Sequence, residues 1–228
     1  MEFRTENLTI SSPAGELESL LWSTPPDVHP TLAAIVCHPH PLFGGTMHNK
    51  VVYQTAKMLR ELGQPVLRFN FRGVGLSQGT YDHGRGETQD ALAALDFMAA
   101  QYPKTPLIAA GFSFGAWVGL RAGCTHENVA ELIGLGLPVN DPAFEIMYLQ
   151  TCRKDKLLIW GDHDIFATNE KRLTLAEALR GPASGTIHVV TVPDADHFFT
   201  GRIEEVTKAM RNWLEERYPE LGRETERD

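Results

Sequence analysis

Cysteine is scarce in this chain: Cys37, Cys124 and Cys152 are three among 228 residues, widely spaced and without a C-x-x-C pair. That pattern argues against a disulfide-framed domain and predicts reduced thiols in a cytoplasmic protein. Basic charge is also short, with 21 Lys and Arg against 29 Asp and Glu, a formal net charge of −8. Without a basic cluster, neither nucleic acid nor an anionic membrane surface is an expected partner. Long apolar runs are missing, so no segment is expected to span a bilayer. The opening MEFRTENLTI carries charge from its second residue and lacks the pattern of a secretory leader. Repeats, low-complexity stretches and long linkers are absent as well.

What the chain does have is apolar content, 43% of residues, enough for the core of a single domain over residues 1–228. Two alternating stretches, 3–10 and 17–22, read as an antiparallel hairpin turning at Pro13-Ala14-Gly15. Strand and helix patterns then take turns. Strands are expected at 32–37, 65–71, 106–110, 131–137, 156–160 and 187–192, and helices at 50–62, 87–100, 116–122, 173–179 and 203–217. Such alternation implies an α/β fold with a mainly parallel eight-stranded sheet covered on both faces. Reactive side chains then collect on loops at the carboxyl ends of strands. The charged end, 215–228, is expected to fray.

The stretch Gly111-Phe112-Ser113-Phe114-Gly115 stands where a short apolar strand pattern meets a helical one. A strand that becomes a helix within two residues lifts the turn residue into a strained, exposed position, and the flanking glycines permit the close approach. The helix N-terminus behind Ser113 offers free N–H groups. A nucleophile there needs a base, and the base needs an acid to orient it. His197, in the loop after the last strand, is the base among nine histidines. Asp162 and Asp164, after the preceding strand, are both available acids, and Asp141 is a third; Asp164 is the choice. The order Ser, Asp, His suits a G-x-S-x-G hydrolase.

Gly111-x-Ser113-x-Gly115, Gly161-x-x-Asp164 and Asp196-His197-Phe198 together resemble the α/β-hydrolase superfamily over nearly the whole chain. His38-Pro39-His40-Pro41-Leu42-Phe43-Gly44-Gly45 and Asn70-Phe71-Arg72-Gly73-Val74-Gly75-Leu76-Ser77 narrow the resemblance. They are similar to the small, lid-less bacterial enzymes related to dienelactone hydrolase and to the catalytic domains of Xaa-Pro peptidases. Dienelactone hydrolase carries cysteine at the elbow, where this chain has Ser113. The resemblance implies Asp164 as the acid and an oxyanion donor from the His-Pro loop, partnering the Phe114 N–H. Pro39 and Pro41 have no N–H, so that donor is His40, Leu42 or a neighbour. A metal at His38, His40 and His48 lacks a convincing third ligand, and no metal or other cofactor is expected. The Arg72-Gly73-x-Gly75 loop reads as a tight turn with Arg72 paired to a carboxylate, not as a dinucleotide cradle.

The expected function is hydrolysis of small carboxylic esters through an acyl-enzyme. A peptidase or amidase, or a non-catalytic binding protein on the same fold, is the alternative. The connection 138–155 is too short for a helical cap, which predicts an open site shaped by Leu42, Phe43, Phe114, Phe166, Phe198 and Phe199. Phe43, Phe166 and Phe198 are the chosen pocket residues. A small-molecule ester is the expected partner, with a homodimer allowed.

Overall fold

The alternating stretches at the start of the chain form an antiparallel hairpin, β1 (Arg4–Ser12) and β2 (Gly15–Ser23), in the computed structural model, which describes residues 3–181 and 184–223. Six more strands follow: β3 (Ala33–Cys37), β4 (Val66–Phe69), β5 (Leu107–Phe112), β6 (Val129–Leu135), β7 (Asp155–Gly161) and β8 (Ile187–Val192). They build one eight-stranded sheet in the order β1-β2-β4-β3-β5-β6-β7-β8. β2 pairs antiparallel with both β1 and β4, and every later pairing is parallel. Consequently Ser113, His38, Asp164 and His197 all follow strand ends on the same edge of the sheet.

The helices are α1 (Lys50–Glu61), α2 (Arg85–Gln101), α3 (Phe114–Thr125), α4 (Asn169–Ala178), α5 (Ile203–Arg217) and α6 (Glu220–Arg223). Successive residues of a strand face opposite ways, so the central strands feed two cores at once. On β3, Ala33, Ile35 and Cys37 pack with α2 and α3, while Ala34 and Val36 pack with α1 and α5. Burial on both faces is why these strands read as continuous apolar runs rather than as alternation. The expected α/β fold, hairpin and covered faces are what the chain adopts. Among the described residues, no helix is long and apolar enough to cross a membrane.

The connection from β6 to β7 holds one short 3-10 turn, Met147–Gln150, and no cap. It lies against α3: the Trp117 indole N–H donates to the Glu145 carbonyl (2.7 Å), and the Tyr148 hydroxyl donates to the Trp117 carbonyl (2.8 Å).

Two expectations are corrected. Cys124, in the last turn of α3, and Cys152, just before β7, are joined as a disulfide with Cα atoms 5.5 Å apart. Cys37 alone stays free, and it is buried. The pair lies 28 residues apart, brought together only after the chain has run along β6 and returned through the connection to the start of β7, so linear spacing carried no sign of it. The charged end does not fray from 215 onward. Arg217 closes α5 by pairing with Glu131 (2.9 Å) and with Asp155, the Tyr218 hydroxyl donates to Glu131 (2.8 Å), and Leu221 is buried. Residues 224–228 lie outside the described residues.

Candidate active site

Ser113 joins β5 to α3 with φ 56° and ψ −122°, a positive-φ backbone that an L side chain rarely adopts. Its N–H donates to the Leu135 carbonyl (2.8 Å) on the neighbouring strand, which fixes the turn. The two flanking glycines answer to close approach. A Cβ at Gly111 would lie 2.2 Å from the Gly115 carbonyl oxygen, and one at Gly115 would lie 2.3 Å from the His38 carbonyl oxygen. Any side chain at either position would push the helix start off the sheet edge.

The His197 ring lies over this serine. Nε2 is 3.0 Å from Ser113 Oγ, and Nδ1 is 2.9 Å from Asp164 Oδ2. Asp164 and His197 are both buried, whereas Ser113 is half-buried. Of the three acids considered from sequence, only Asp164 reaches the imidazole. Asp141 accepts from the Ala143 N–H at its own turn. Asp162 Oδ1 accepts from the Ala195 N–H (3.2 Å), and the His163 N–H donates to the Ala195 carbonyl (3.0 Å). Asp162 therefore ties the loop that carries the acid to the loop that carries the histidine.

Several contacts hold this geometry without being legible in the sequence. Gly136, just past β6, has φ +54°, and a Cβ there would stand 3.1 Å from His197 Cε1. The positive φ and this tight contact both favour glycine beside the ring. Phe112 lies under the imidazole at 5.1 Å between centroids. The second Asp164 oxygen accepts from the Phe166 N–H (2.8 Å), and the buried Arg172 donates to the Gly161 carbonyl (2.6 Å) beneath the same loop. In the histidine loop, Asp196 Oδ1 accepts from the Phe198 and Thr200 N–H groups (3.0 and 2.9 Å). The Thr200 N–H above all holds the Asp196 carboxyl below its usual range.

The loop after β3 divides its two histidines between different tasks. His38 is fully buried; its Nδ1–H donates to the Pro39 carbonyl (2.7 Å), and Nε2 accepts from the Phe71 N–H (3.0 Å). Burial pushes its pKa down to about 4, so it is neutral and structural. His40 packs its ring on Phe114 at 4.9 Å. Its Nδ1 accepts from the Leu42 N–H (3.2 Å), and Nε2 meets the Tyr81 hydroxyl (3.1 Å). Burial, and then the neighbouring His83, lower its pKa. The Phe43 and Gly45 N–H groups both donate to the His40 carbonyl. Among the described residues the His40 N–H donates to no protein acceptor, and the Phe114 N–H, at the first position of α3, has no partner within its helix. Arg72 pairs with the buried Asp90 through two bonds of 3.0 and 2.8 Å, as a loop clamp.

Exposed apolar side chains gather at this edge: Leu42 and Phe43 after β3, Leu76 after β4, Ile165 and Phe166 after β7, and Phe198 after β8. Phe114 and Phe199, expected to shape the pocket, are instead core residues at 1% exposure each. Phe199 takes φ +53°, which turns its ring inward while Phe198 points out.

Residues 32–147 match the family described as serine aminopeptidase, S33. A lid-less α/β serine hydrolase from Xanthomonas campestris is 36% identical, with 95% of this chain and 96% of that chain covered at a TM-score of 0.83. An α/β serine hydrolase homologue from Coxiella burnetii is 38% identical, covering 91% and 96% at a TM-score of 0.80. An uncharacterized Rickettsia prowazekii protein is 38% identical over 184 residues, 79% of this chain and 77% of that one. These likenesses reach the superfamily, and the finer likeness to dienelactone hydrolase stays a resemblance. With its lid-less eight-stranded sheet and these relatives, the chain belongs to the S33 family of the α/β-hydrolase superfamily, among the α/β serine hydrolases.

Proposed function

We propose that the protein hydrolyses small carboxylic esters, with Ser113 as nucleophile, His197 as general base and acid, and Asp164 as the group that orients His197. The observation that carries this reading is the unbroken hydrogen-bond chain from Asp164 through His197 to a serine held at a strained elbow. Ser113 Oγ bonds to the ester carbon as its proton passes to His197 Nε2. The tetrahedral intermediate then expels the alcohol, which takes that proton, and leaves the acyl-enzyme. Water repeats the sequence: it gives a proton to Nε2, the bond from Oγ to carbon breaks, and Oγ recovers the proton. Asp164 accepts from Nδ1–H throughout, fixing the tautomer that leaves Nε2 free to receive a proton.

The developing oxyanion is met by the N–H groups of Phe114 and His40. Leu42, the other candidate, has its N–H turned to the His40 ring, which favours the His40 amide. Each donor is worth about 3 kcal/mol in the transition state. The steps call on no cofactor. An apolar rim supports a small ester with apolar substituents as substrate.

A second reading, cleavage of amides or short peptides, is favoured by the serine aminopeptidase description of the matching family. The same machinery would protonate an amine in place of an alcohol. Initial rates on p-nitrophenyl acetate and on aminoacyl p-nitroanilides, with wild type and Ser113→Ala, separate the two. Ester turnover that is lost in Ser113→Ala, with little anilide turnover, supports the ester reading; the opposite preference supports the peptidase.

A further inference from the structure

The two halves of an ester do not meet the same walls. In the proposed mechanism the alcohol oxygen must take its proton from His197 Nε2, so it lies within about 3 Å of that atom when the C–O bond breaks. The alcohol group therefore spreads over whatever flanks the imidazole. Two exposed aromatics do: Phe166, with ring centroids 4.6 Å apart, and Phe198, at 5.2 Å and edge-on. Phe112, the third aromatic neighbour, is fully buried beneath the ring. Phe166 is 44% exposed and Phe198 57%, so both present apolar area to whatever the imidazole protonates.

The backbone that carries each of these side chains is held in the same loops that carry Asp164 and His197. The Phe166 N–H donates to Asp164 Oδ1, while its carbonyl accepts from the Val139 and Asn140 N–H groups (3.0 and 3.1 Å). The Phe198 N–H is fixed by Asp196, and the inward turn of Phe199 directs Phe198 outward. Keeping two large aromatic faces in water is unfavourable unless something covers them, and fixed loops give up little further entropy when it does.

From this we infer that the alcohol half of the substrate is an aromatic or similarly broad apolar group, seated against Phe166 and Phe198. The inference rests on the ester-hydrolase reading and adds to it the class of leaving group and the two residues that select it. No new step is needed: the C–O bond breaks, the alkoxide oxygen takes the Nε2 proton, and a neutral aromatic alcohol departs.

Benzyl acetate and methyl acetate test it. Their alcohols have nearly equal acidity and both esters give the same acetyl-enzyme, so a difference in kcat/KM reports how the alcohol is held. Wild type is expected to favour benzyl acetate about tenfold or more. Phe166→Ala and Phe198→Ala should each lower the benzyl-to-methyl ratio several-fold, and the double variant should bring it near one. Phe166→Leu keeps bulk at the site and should retain part of the preference, which separates lost contact from a disturbed loop. As a second readout, benzyl alcohol added to p-nitrophenyl acetate turnover should capture the acetyl group better than methanol at equal concentration, because the departing alcohol and an incoming one share a site. A wild-type ratio near one, with both esters cleaved in a Ser113-dependent way, overturns this inference and leaves the function standing. No cleavage of either ester and no reaction of a fluorophosphonate at Ser113 overturns the function itself, and the inference with it.

Discussion

His38 and His197 occupy similar places and meet different partners. Each follows the carboxyl end of a strand, β3 or β8; each is buried; each has both ring nitrogens hydrogen-bonded. The partners make the difference. His38 donates to a carbonyl and accepts from a backbone N–H, neither of which can exchange a proton, and burial holds the ring neutral. His197 faces a hydroxyl on one side and a carboxylate on the other. A hydroxyl can lose its proton to the ring, and a carboxylate stabilises the imidazolium that results. In the proposed mechanism His197 is therefore a base where His38 is a strut, according to what the two ring nitrogens of each touch.

The largest effect expected from this contrast is on His197. His197→Asn should lower kcat by about 10⁴-fold or more, because the nucleophile loses the group that takes its proton. His38→Asn should leave the midpoint of the pH–rate profile of the folded protein unmoved, since His38 exchanges no proton with substrate. Steady-state rates on p-nitrophenyl acetate, normalised by active-site burst, check both. A displaced midpoint in His38→Asn would make His38 part of the chemistry.

Next in size is the choice of acid. Asp164→Asn should cost about 10⁴-fold in kcat, because an amide there favours the wrong tautomer of His197. Asp162→Asn keeps an oxygen that can accept from the Ala195 N–H, and its cost should stay within about tenfold. The reverse ranking would move the acid to Asp162.

The third prediction reads the strut. His38 has a folded pKa of about 4 against an ordinary value of 6.5. Between those values the unfolded chain takes up a proton that the folded chain refuses, so the contribution is complete above pH 6.5 and shrinks as pH falls. The slope is about 1.4 kcal/mol per pH unit, or about 2 kcal/mol lost between pH 6.5 and 5. Urea unfolding of wild type and His38→Asn at several pH values measures it. Equal slopes in the two proteins would show that His38 is not held neutral.

The smallest effect lies on the acyl side of the site. With no cap over the connection from β6 to β7, acyl chains should gain about 0.8 kcal/mol per buried methylene, about fourfold in kcat/KM, until the chain emerges into water. The p-nitrophenyl ester series should peak at short acyl chains. A steady rise to palmitate would show an enclosed groove.

The sequence made the architecture readable because the central strands are buried on both faces and so read as continuous apolar runs. The elbow was readable because glycine at 111 and 115 is demanded by contacts only 2.2–2.3 Å from a Cβ. Ser113, Asp164 and His197 could be chosen because each sits just past a strand end of the same sheet edge. What could not be read were contacts between segments far apart in the chain. Cys124 meets Cys152 only through the crossover, Arg217 finds Glu131 only once α5 is packed, and Tyr81 reaches His40 across 41 residues. Pocket membership failed at Phe114 because its ring packs on His40 and Phe71, far away in the chain, and at Phe199 because which of two adjacent aromatics faces water goes with a backbone angle, φ +53°, that composition does not encode.

The central claim is that Ser113 is a nucleophile activated by His197, and reaction with a fluorophosphonate followed by mass-spectrometric mapping tests it most directly. The account predicts one phosphonylated residue, Ser113, with labelling abolished in Ser113→Ala and slowed by orders of magnitude in His197→Asn. Label on another serine, or unchanged labelling in Ser113→Ala, would contradict it.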